Sequence, residues 1–350
     1  MLAHMNLENM VVDFSNLKRA QMFSTVLTGA VFSHCDLEGA NLANAEATRL
    51  QMTHCMLDKA RLTGATLCRS RFVNLHARRA LFTKADLTEA NLAQGDLAEA
   101  TFRHAVLKRA VLTGAALANA DLALADLSHA NLERTQCLSA NFVNADMYRA
   151  LLTGADLVGA NLSNANLERA QMIGADLRTA NAAGARCAWA RLNMAVMQRV
   201  DLRNADLTGA DLAGANLVCA KLSHASLAHA SLVGADLTGA DLTDAVLTGA
   251  DLTGANLART ILTGADLTGV DLTRTDITDA DPQPTVIEFS APAVGQDAAC
   301  RMLYDMATNV LTINGAEVDP SQMPAHLRGV LNACDAVRAR CATTTLRGRR

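Results

Sequence analysis

The feature that most constrains this chain is a large apolar residue at nearly every fifth position from Leu2 to Ile277, without an insertion. A typical stretch runs Ala235-Asp236-Leu237-Thr238-Gly239 and then Ala240-Asp241-Leu242-Thr243-Asp244. At this period successive leucines rotate by about 140° on an α-helix, so they form no apolar stripe. On an unbroken strand the odd spacing sends them to opposite faces. The chain must therefore turn once in each of 56 repeats.

Each position of the repeat then has a predicted direction. The leucine and the alanine two residues before it point inward, and the Asp or Asn between them points outward. A Gly or another small or polar residue two after the leucine suits a corner, where Asp and Asn also bond nearby backbone amides. An aromatic content of only 3% fits a core of medium-sized residues supplied at regular intervals, which is typical of a solenoid.

The repeated order A-(D/N)-L-x-x resembles the pentapeptide-repeat proteins, as at Ala85-Asp86-Leu87, Ala155-Asp156-Leu157 and Ala205-Asp206-Leu207. The resemblance covers about four-fifths of the chain. It implies an all-β solenoid, a right-handed quadrilateral β-helix with four repeats in each 20-residue coil, and hence about 14 coils.

The repeat is interrupted after Ala280 by Asp281-Pro282-Gln283-Pro284, because proline cannot donate to a continuing ladder. The sequence therefore predicts a repeat domain over 1–280, a linker over 281–295 and a small α-helical C-terminal tail over 296–350.

Within the tail, helical spacing of apolar residues predicts helices over 296–308 and 324–341, and an Asn-Gly turn predicts a short hairpin over 311–318. The tail is expected to cap the last coil, since solenoids need covered ends. The alternative is that Leu327 and Leu331 also form a docking signal or a homodimer contact.

One segment of the repeat departs from the pattern. Ala182 and Cys187 are successive small centres, and Trp189 stands at an outward position. Residues 181–190 are therefore expected to form an under-packed coil or a kink.

Outward residues 20 positions apart are expected to stack into columns. One column carries mostly positive charge, with Lys108 and Tyr148 beside it. Because Arg and Tyr are enriched at protein interfaces, it is a candidate protein-binding stripe, although a solvated charged face is the plainer interpretation. Its members are Arg49, Arg69, Glu89, Arg109, His129, Arg149 and Arg169.

Charge is uneven along the chain, with a net of +3 over residues 1–200 and −7 over 201–280. Some pentapeptide-repeat proteins imitate duplex DNA and bind type II topoisomerases such as gyrase, and the acidic region is where this resemblance would apply. DNA carries its charge evenly along its axis, which a chain with a positive first half does not copy. Direct nucleic-acid binding is not expected either, because the positive excess is small and stacking aromatics are scarce.

A metal site is not expected, although His34-Cys35 and His54-Cys55 lie one coil apart. The histidines point outward and the cysteines inward, so no tetrahedral site closes.

Catalysis is not expected either. His224, Ser226 and His229 lie on one polar wall without a cleft, and no phosphate-binding or nucleophile motif occurs. The sequence thus predicts no enzyme, no catalytic residue, no metal, no cofactor and no small-molecule substrate.

The sequence shows no apolar run long enough to span a membrane and no secretory signal pattern, and its nine cysteines include no CxxC pair. A cytoplasmic location without membrane association is expected. The favoured function is a non-enzymatic scaffold or adaptor that binds a protein partner, similar in architecture to accessory proteins of bacterial secretion systems. A DNA-mimicking gyrase binder and a repeat array without a dedicated partner are the alternatives.

Overall fold

The computed structural model describes residues 2–272, residues 274–281 and four strands between 286 and 317. The chain divides into two compact units, Met1–Arg186 and Cys187–Arg350. In each unit the repeats form a parallel β-helix whose bridges join residues 20 apart. These bridges run from Asn6–Val26 to Asn166–Arg186 in the first unit and from Arg191–Asp211 to Ile261–Asp281 in the second. The predicted all-β solenoid with four repeats per coil is confirmed in both units, while the total number of coils stays a prediction.

One wall of the first unit begins with a regular parallel sheet. Its strands pair in chain order with a register shift of 20 residues, as in Phe32 opposite Met52. Valine and phenylalanine in these segments favour extended backbone. The strands are β1 (Val11–Asp13), β2 (Val31–Ser33), β3 (Gln51–Thr53) and β4 (Arg71–Val73).

Each repeat turns through one hydrogen-bonded corner. At the corner after Leu27, the Ala30 amide donates to the Leu27 carbonyl at 3.0 Å. Gly29, two residues after the leucine, has a φ of 67°. Its amide donates to Thr48 of the next coil at 2.9 Å, so each corner both closes a turn and extends the ladder. The predicted demand for permissive backbone at this position is confirmed.

The Asp or Asn before the leucine fastens the same turn. Asp86 Oδ1 accepts the Thr88 amide at 3.0 Å and the Thr88 hydroxyl at 2.6 Å. This local bonding, typical of Asp and Asn in turns, explains why the repeat so often carries them before its leucine and Thr or Ser after it.

The inward leucines and alanines form the core of each unit. The first unit also buries several phenylalanines, and Phe82 stacks on Phe102 with ring centroids 4.7 Å apart. Where a hydroxyl replaces the inward alanine, it donates to a backbone carbonyl, as when Thr135 donates to the Leu132 carbonyl at 2.7 Å and Ser70 to the Ala47 carbonyl at 3.0 Å. A buried polar group that finds such a partner costs little.

The C-terminal segment of the second unit forms an antiparallel sheet. The strands pair in chain order. They are β5 (Val286–Ala291), β6 (Cys300–Asp305), β7 (Val310–Ile313) and β8 (Ala316–Glu317).

The helix predicted over 296–308 is wrong, because Cys300–Asp305 forms β6 and pairs with β5 on one side and β7 on the other. Pairing with a strand on each side stabilises the extended conformation more than the helical spacing of a few apolar residues stabilises a helix. β5 lies within 281–295, which the sequence predicted to be a linker. The strand pairing of the predicted hairpin is confirmed, since β7 and β8 pair antiparallel. Its Asn-Gly turn lies outside the described residues.

The described part of the chain contains no helix, and so none that is long and apolar enough to cross a membrane. The helix predicted over 324–341, with Leu327 and Leu331, lies outside the described residues. The border between the two units falls at Arg186 and Cys187, inside the segment predicted to be under-packed. Ala182 and Cys187 are each only 2% exposed, and the under-packing itself stays a prediction.

Candidate functional site

The candidate site is the basic column, which we define as Arg49, Arg69, Glu89, Arg109, His129, Arg149 and Arg169 of the first unit. Every member occupies a corner with φ between 53° and 59°. Corner amides donate to the next coil, as Arg69 does to Thr88 and Glu89 does to Lys108, both at 2.9 Å. The structure therefore stacks these corners one above another, as the sequence predicted.

In the lower half of the column, one carboxylate hydrogen-bonds one guanidinium group and lies near a second. Arg69 Nε lies 2.8 Å from Glu89 Oε2, and Arg109 Nη1 lies 4.0 Å from Glu89 Oε1. The arginine side chains remain 62% and 70% exposed, against 38% for Glu89. Since each guanidinium has five N–H donors, most of them still face solvent.

In the upper half, an aromatic ring orders two basic side chains. The Tyr148 ring lies edge-on to His129, with centroids 5.7 Å apart. The Arg149 guanidinium carbon lies 5.3 Å from the Tyr148 centroid, which is cation–π distance. Tyr148 is itself positioned by its turn, where its amide donates to Asp146 at 3.1 Å.

The remaining predicted residues are less closely joined. Arg169 Nε lies 3.8 Å from Glu168, and Lys108 lies 3.2 Å from Asp126. Arg49 forms no salt bridge with any residue that the structure describes. The structure thus brings Arg69, Glu89 and Arg109 into one cluster and His129, Tyr148 and Arg149 into another.

The histidine and cysteine pairs face opposite ways, as the sequence predicted. His34 stacks on Phe14 and on His54 at the surface, with centroids 4.6 and 5.2 Å apart. Cys35 and Cys55 are buried, and burial raises the pKa of the Cys55 thiol to about 11, which disfavours a thiolate ligand. Among the described residues, no group of three or more His, Cys, Asp or Glu could hold a metal ion.

The polar residues His224, Ser226 and His229 contact different neighbours. His224 Nδ1 lies 3.7 Å from Asp244, and Ser226 shares a 2.9 Å hydrogen bond with Thr208. The His229 ring lies against the Gly249 corner. This geometry does not assemble a nucleophile with its base.

The aspartates of the acidic region are part of the turns and are spaced apart. In the bridges of the second unit, an aspartate pairs with a neutral or basic residue, as in Asp201–Lys221, Asp211–Ser231 and Asp241–Ile261. Like charges directly opposite each other on neighbouring strands are destabilising, so this alternation keeps the acids apart. No two of the aspartates in these bridges are therefore paired with each other.

Sequence reasoning missed one surface of the second unit. Trp189 and Met194 are exposed on neighbouring corners of one coil, and each lies against a glycine 20 residues further on. The available signal was the pairing of a large apolar corner residue with glycine one coil later.

The comparisons with known proteins point to one family. The model for pentapeptide repeats matches in eight copies over 85–122, 120–157, 145–181, 180–218, 220–257 and 250–281, and a model for a pentapeptide repeat region matches 25–102. No curated protein matches the sequence.

Several solved structures are similar at low TM-scores. HetL from the cyanobacterium Nostoc, a pentapeptide repeat protein involved in heterocyst differentiation regulation, is 26% identical over 77% of this chain and 89% of its own, with a TM-score of 0.23. Full-length QnrB1, a plasmid-mediated fluoroquinolone resistance protein, is 15% identical over 79% of this chain and 92% of its own, with a TM-score of 0.26. The repeat models, which match more than half of the residues, and not these loose superpositions, show that the chain belongs to the pentapeptide repeat family.

Proposed function

We propose that the chain is a non-enzymatic scaffold that binds an acidic surface of a protein partner through the basic column. The observation that carries the proposal is the exposure of ordered guanidinium groups on stacked corners of one edge. Glu89 hydrogen-bonds Arg69 and lies 4.0 Å from Arg109, and Arg149 lies over Tyr148.

The charge of the column favours an acidic partner, because five arginines share their corner positions with a single glutamate. Arginine suits carboxylates, since its planar N–H groups match both oxygens. Contacts to Glu89 and Tyr148 limit side-chain motion before binding, which lowers the entropy lost on association.

A protein partner fits this edge better than a nucleic acid. Nucleic-acid binding draws on a large positive excess and on aromatic stacking, and residues 1–200 carry a net of only +3. The Tyr148 ring already contacts His129 and Arg149, so it is less accessible for stacking on a base. An acidic protein surface needs only the exposed guanidinium groups.

The test is an affinity pull-down from a bacterial lysate, read by mass spectrometry, with the full-length chain and a triple variant. Arg109→Glu, Arg149→Glu and Arg169→Glu together are expected to abolish capture of a specific partner. Loss of three positive charges and gain of three negative ones should repel an acidic surface. Recovery of a secretion component would place the scaffold in that setting.

The matched control reverses three exposed arginines of the first unit away from the basic column, namely Arg19→Glu, Arg61→Glu and Arg134→Glu. This control should keep the partner, and Glu89→Gln should hold it at least as tightly. Circular dichroism checks that every variant stays folded. Equal loss of the partner in both triple variants, or no loss in either, would contradict the proposal.

A gyrase supercoiling assay on the same preparations tests the DNA-mimic alternative. Inhibition that survives the triple variant would transfer the function to the acidic region. Unaffected supercoiling would contradict the DNA-mimic alternative and would favour the basic column as the binding surface.

A further inference from the structure

The second unit exposes two large apolar side chains side by side. Trp189 is 57% exposed and Met194 66% exposed, and they occupy successive corners of one coil with φ of 58° and 59°. Trp189 is the single tryptophan of the sequence. Neither residue belongs to the basic column, so this surface requires an explanation of its own.

Both side chains lie flat because the corners of the next coil are glycines. A Cβ on Gly209 would lie 2.6 Å from Trp189 Cε3, and a Cβ on Gly214 would lie 2.7 Å from Met194 Sδ. The indole and the thioether therefore rest against backbone and turn their other sides to solvent. The result is a flat apolar surface that is ordered before any partner arrives.

One positive and one negative charge lie on the same surface. In the sequence Arg191 lies between Trp189 and Met194, and Asp211 lies between the two glycines. The backbones of Arg191 and Asp211 pair in a parallel β-bridge. Arg191 is exposed and forms no salt bridge with the described residues of its own unit. Asp211 Oδ1 accepts the Ala213 amide at 3.1 Å, which leaves other lone pairs of the carboxylate for a further donor.

We name this two-row surface the tryptophan wall. Its first row is Trp189, Arg191 and Met194, and its second row is Gly209, Asp211 and Gly214.

The tryptophan wall is complementary to itself. A two-fold axis that lies in the plane of the contact, parallel to the two rows and midway between them, sets the first row of one copy opposite the second row of the other. Arg191 of each copy then faces Asp211 of the other. The same operation sets Trp189 of each copy opposite Gly209 of the other, and Met194 opposite Gly214.

We propose that the tryptophan wall is a contact between two copies of this chain. Tryptophan, methionine and arginine are among the residue types enriched at protein interfaces. The charge pattern favours a second copy over an unrelated partner, because the two-fold operation places Arg191 of each copy opposite Asp211 of the other. The contact lies outside the basic column and does not depend on the function proposed for it.

The size of the wall sets the strength of the contact. Stable dimers bury about 800 Å² on each partner, and two rows of one wall fall below this. The association is therefore weak, with a dissociation constant of roughly micromolar or above.

The test uses sedimentation velocity of the full chain over a range of concentrations, with Arg191→Asp and Asp211→Arg as separate variants. Each variant faces like charges in its own homodimer, so its association should weaken at least about tenfold. An equimolar mixture of the two restores both opposite-charge pairs in the heterodimer. Association in the mixture should return to that of the unmodified chain.

A second readout is the fluorescence of Trp189, the single tryptophan. Its emission should shift to shorter wavelength as the unmodified chain associates, and again on mixing the two variants. Trp189→Ala with Met194→Ala should abolish association, whereas Val233→Ala, an exposed apolar change outside the two rows, should not. A chain that stays monomeric at high concentration, or association that the charge variants leave unchanged, would overturn the proposal.

Discussion

The repeats of residues 2–186 and those of 187–281 share one backbone and differ at their corners. In the first region most residues with positive φ carry long or polar side chains, Arg, Lys, His and Asn above all. In the second region about half of them are glycine. Those glycines are Gly209, Gly214, Gly234, Gly239, Gly249, Gly254, Gly264 and Gly269.

This difference distinguishes the backbone conformation that every corner requires from the side chain that a corner carries at the surface. A left-handed conformation costs an L-residue about 1 kcal/mol or more, and glycine avoids that cost. The second region therefore has the less strained corners. The first region accepts backbone strain at many corners and gains a side chain at each. Strained backbone that is kept in place points to a use for the side chains, which agrees with the basic column.

The largest expected effect tests whether the two regions unfold independently of each other. Phe102 is fully buried and stacks on Phe82, so Phe102→Ala should destabilise the first region by about 3–5 kcal/mol through the cavity it leaves. In a solenoid each repeat contacts only its neighbours, so the damage should stay local. Amide hydrogen exchange should accelerate around residues 82–121 and stay unchanged in 187–281.

Phe102→Leu is the matched control, because leucine is the usual centre of the repeat and keeps most of the volume. It should cost about 1 kcal/mol. Uniform acceleration of exchange across both regions after Phe102→Ala would show that they unfold as one unit.

A smaller effect is expected from exchanging corner types between the regions. Thr179 is β-branched and has a φ of 57°, so Thr179→Gly should stabilise the first region by about 1 kcal/mol. Gly234 has a φ of 64° with open space at its Cβ position, so Gly234→Ala should cost the second region about 1 kcal/mol from backbone strain alone. Urea unfolding of each variant measures both changes.

Gly264→Ala extends this comparison, because Asp244 Oδ1 occupies the place of the new Cβ. Its cost should exceed that of Gly234→Ala. If Thr179→Gly destabilises instead, the corner side chains of the first region contribute packing that outweighs their strain.

The sequence predicted the structure correctly wherever the five-residue repeat determines it. The coil, the inward leucines and the basic column all follow from one repeated register, and the pairing of β7 with β8 follows from turn chemistry. The sequence failed at Cys300–Asp305, where pairing with β5 and β7 decides the conformation and no local pattern reports it. It also missed the tryptophan wall, because the flat placement of Trp189 depends on Gly209, one coil away.

The smallest expected effect compares one motif that both regions contain, an aspartate two residues before an arginine. In Asp176–Arg178 and Asp201–Arg203 the Nη2–Oδ2 distance is 2.6 Å and the Nε–Oδ1 distance is 2.9 Å. At Asp201, the hydrogen bond from Arg203 is the main cause that lowers the pKa below its ordinary value of 3.8. At Asp176, burial raises the pKa, but the hydrogen bonds from Arg178 outweigh it and the pKa is again lowered.

A carboxyl whose pKa is lower in the folded chain stabilises the fold above its unfolded pKa, and this stability is lost as the pH falls through the folded pKa. Asp176→Asn and Asp201→Asn keep the turn acceptor and remove the charge. Each variant should therefore be slightly less stable than the unmodified chain at about pH 7, and this difference should shrink at about pH 3, as the pH falls toward the lowered pKa. Urea unfolding at both pH values measures this. The loss at Asp201 should be the larger, because Lys221 pairs with Asp201 and also lowers its pKa, whereas Asp176 pairs with Asp156. Equal losses would show that the contact with the arginine alone decides the effect.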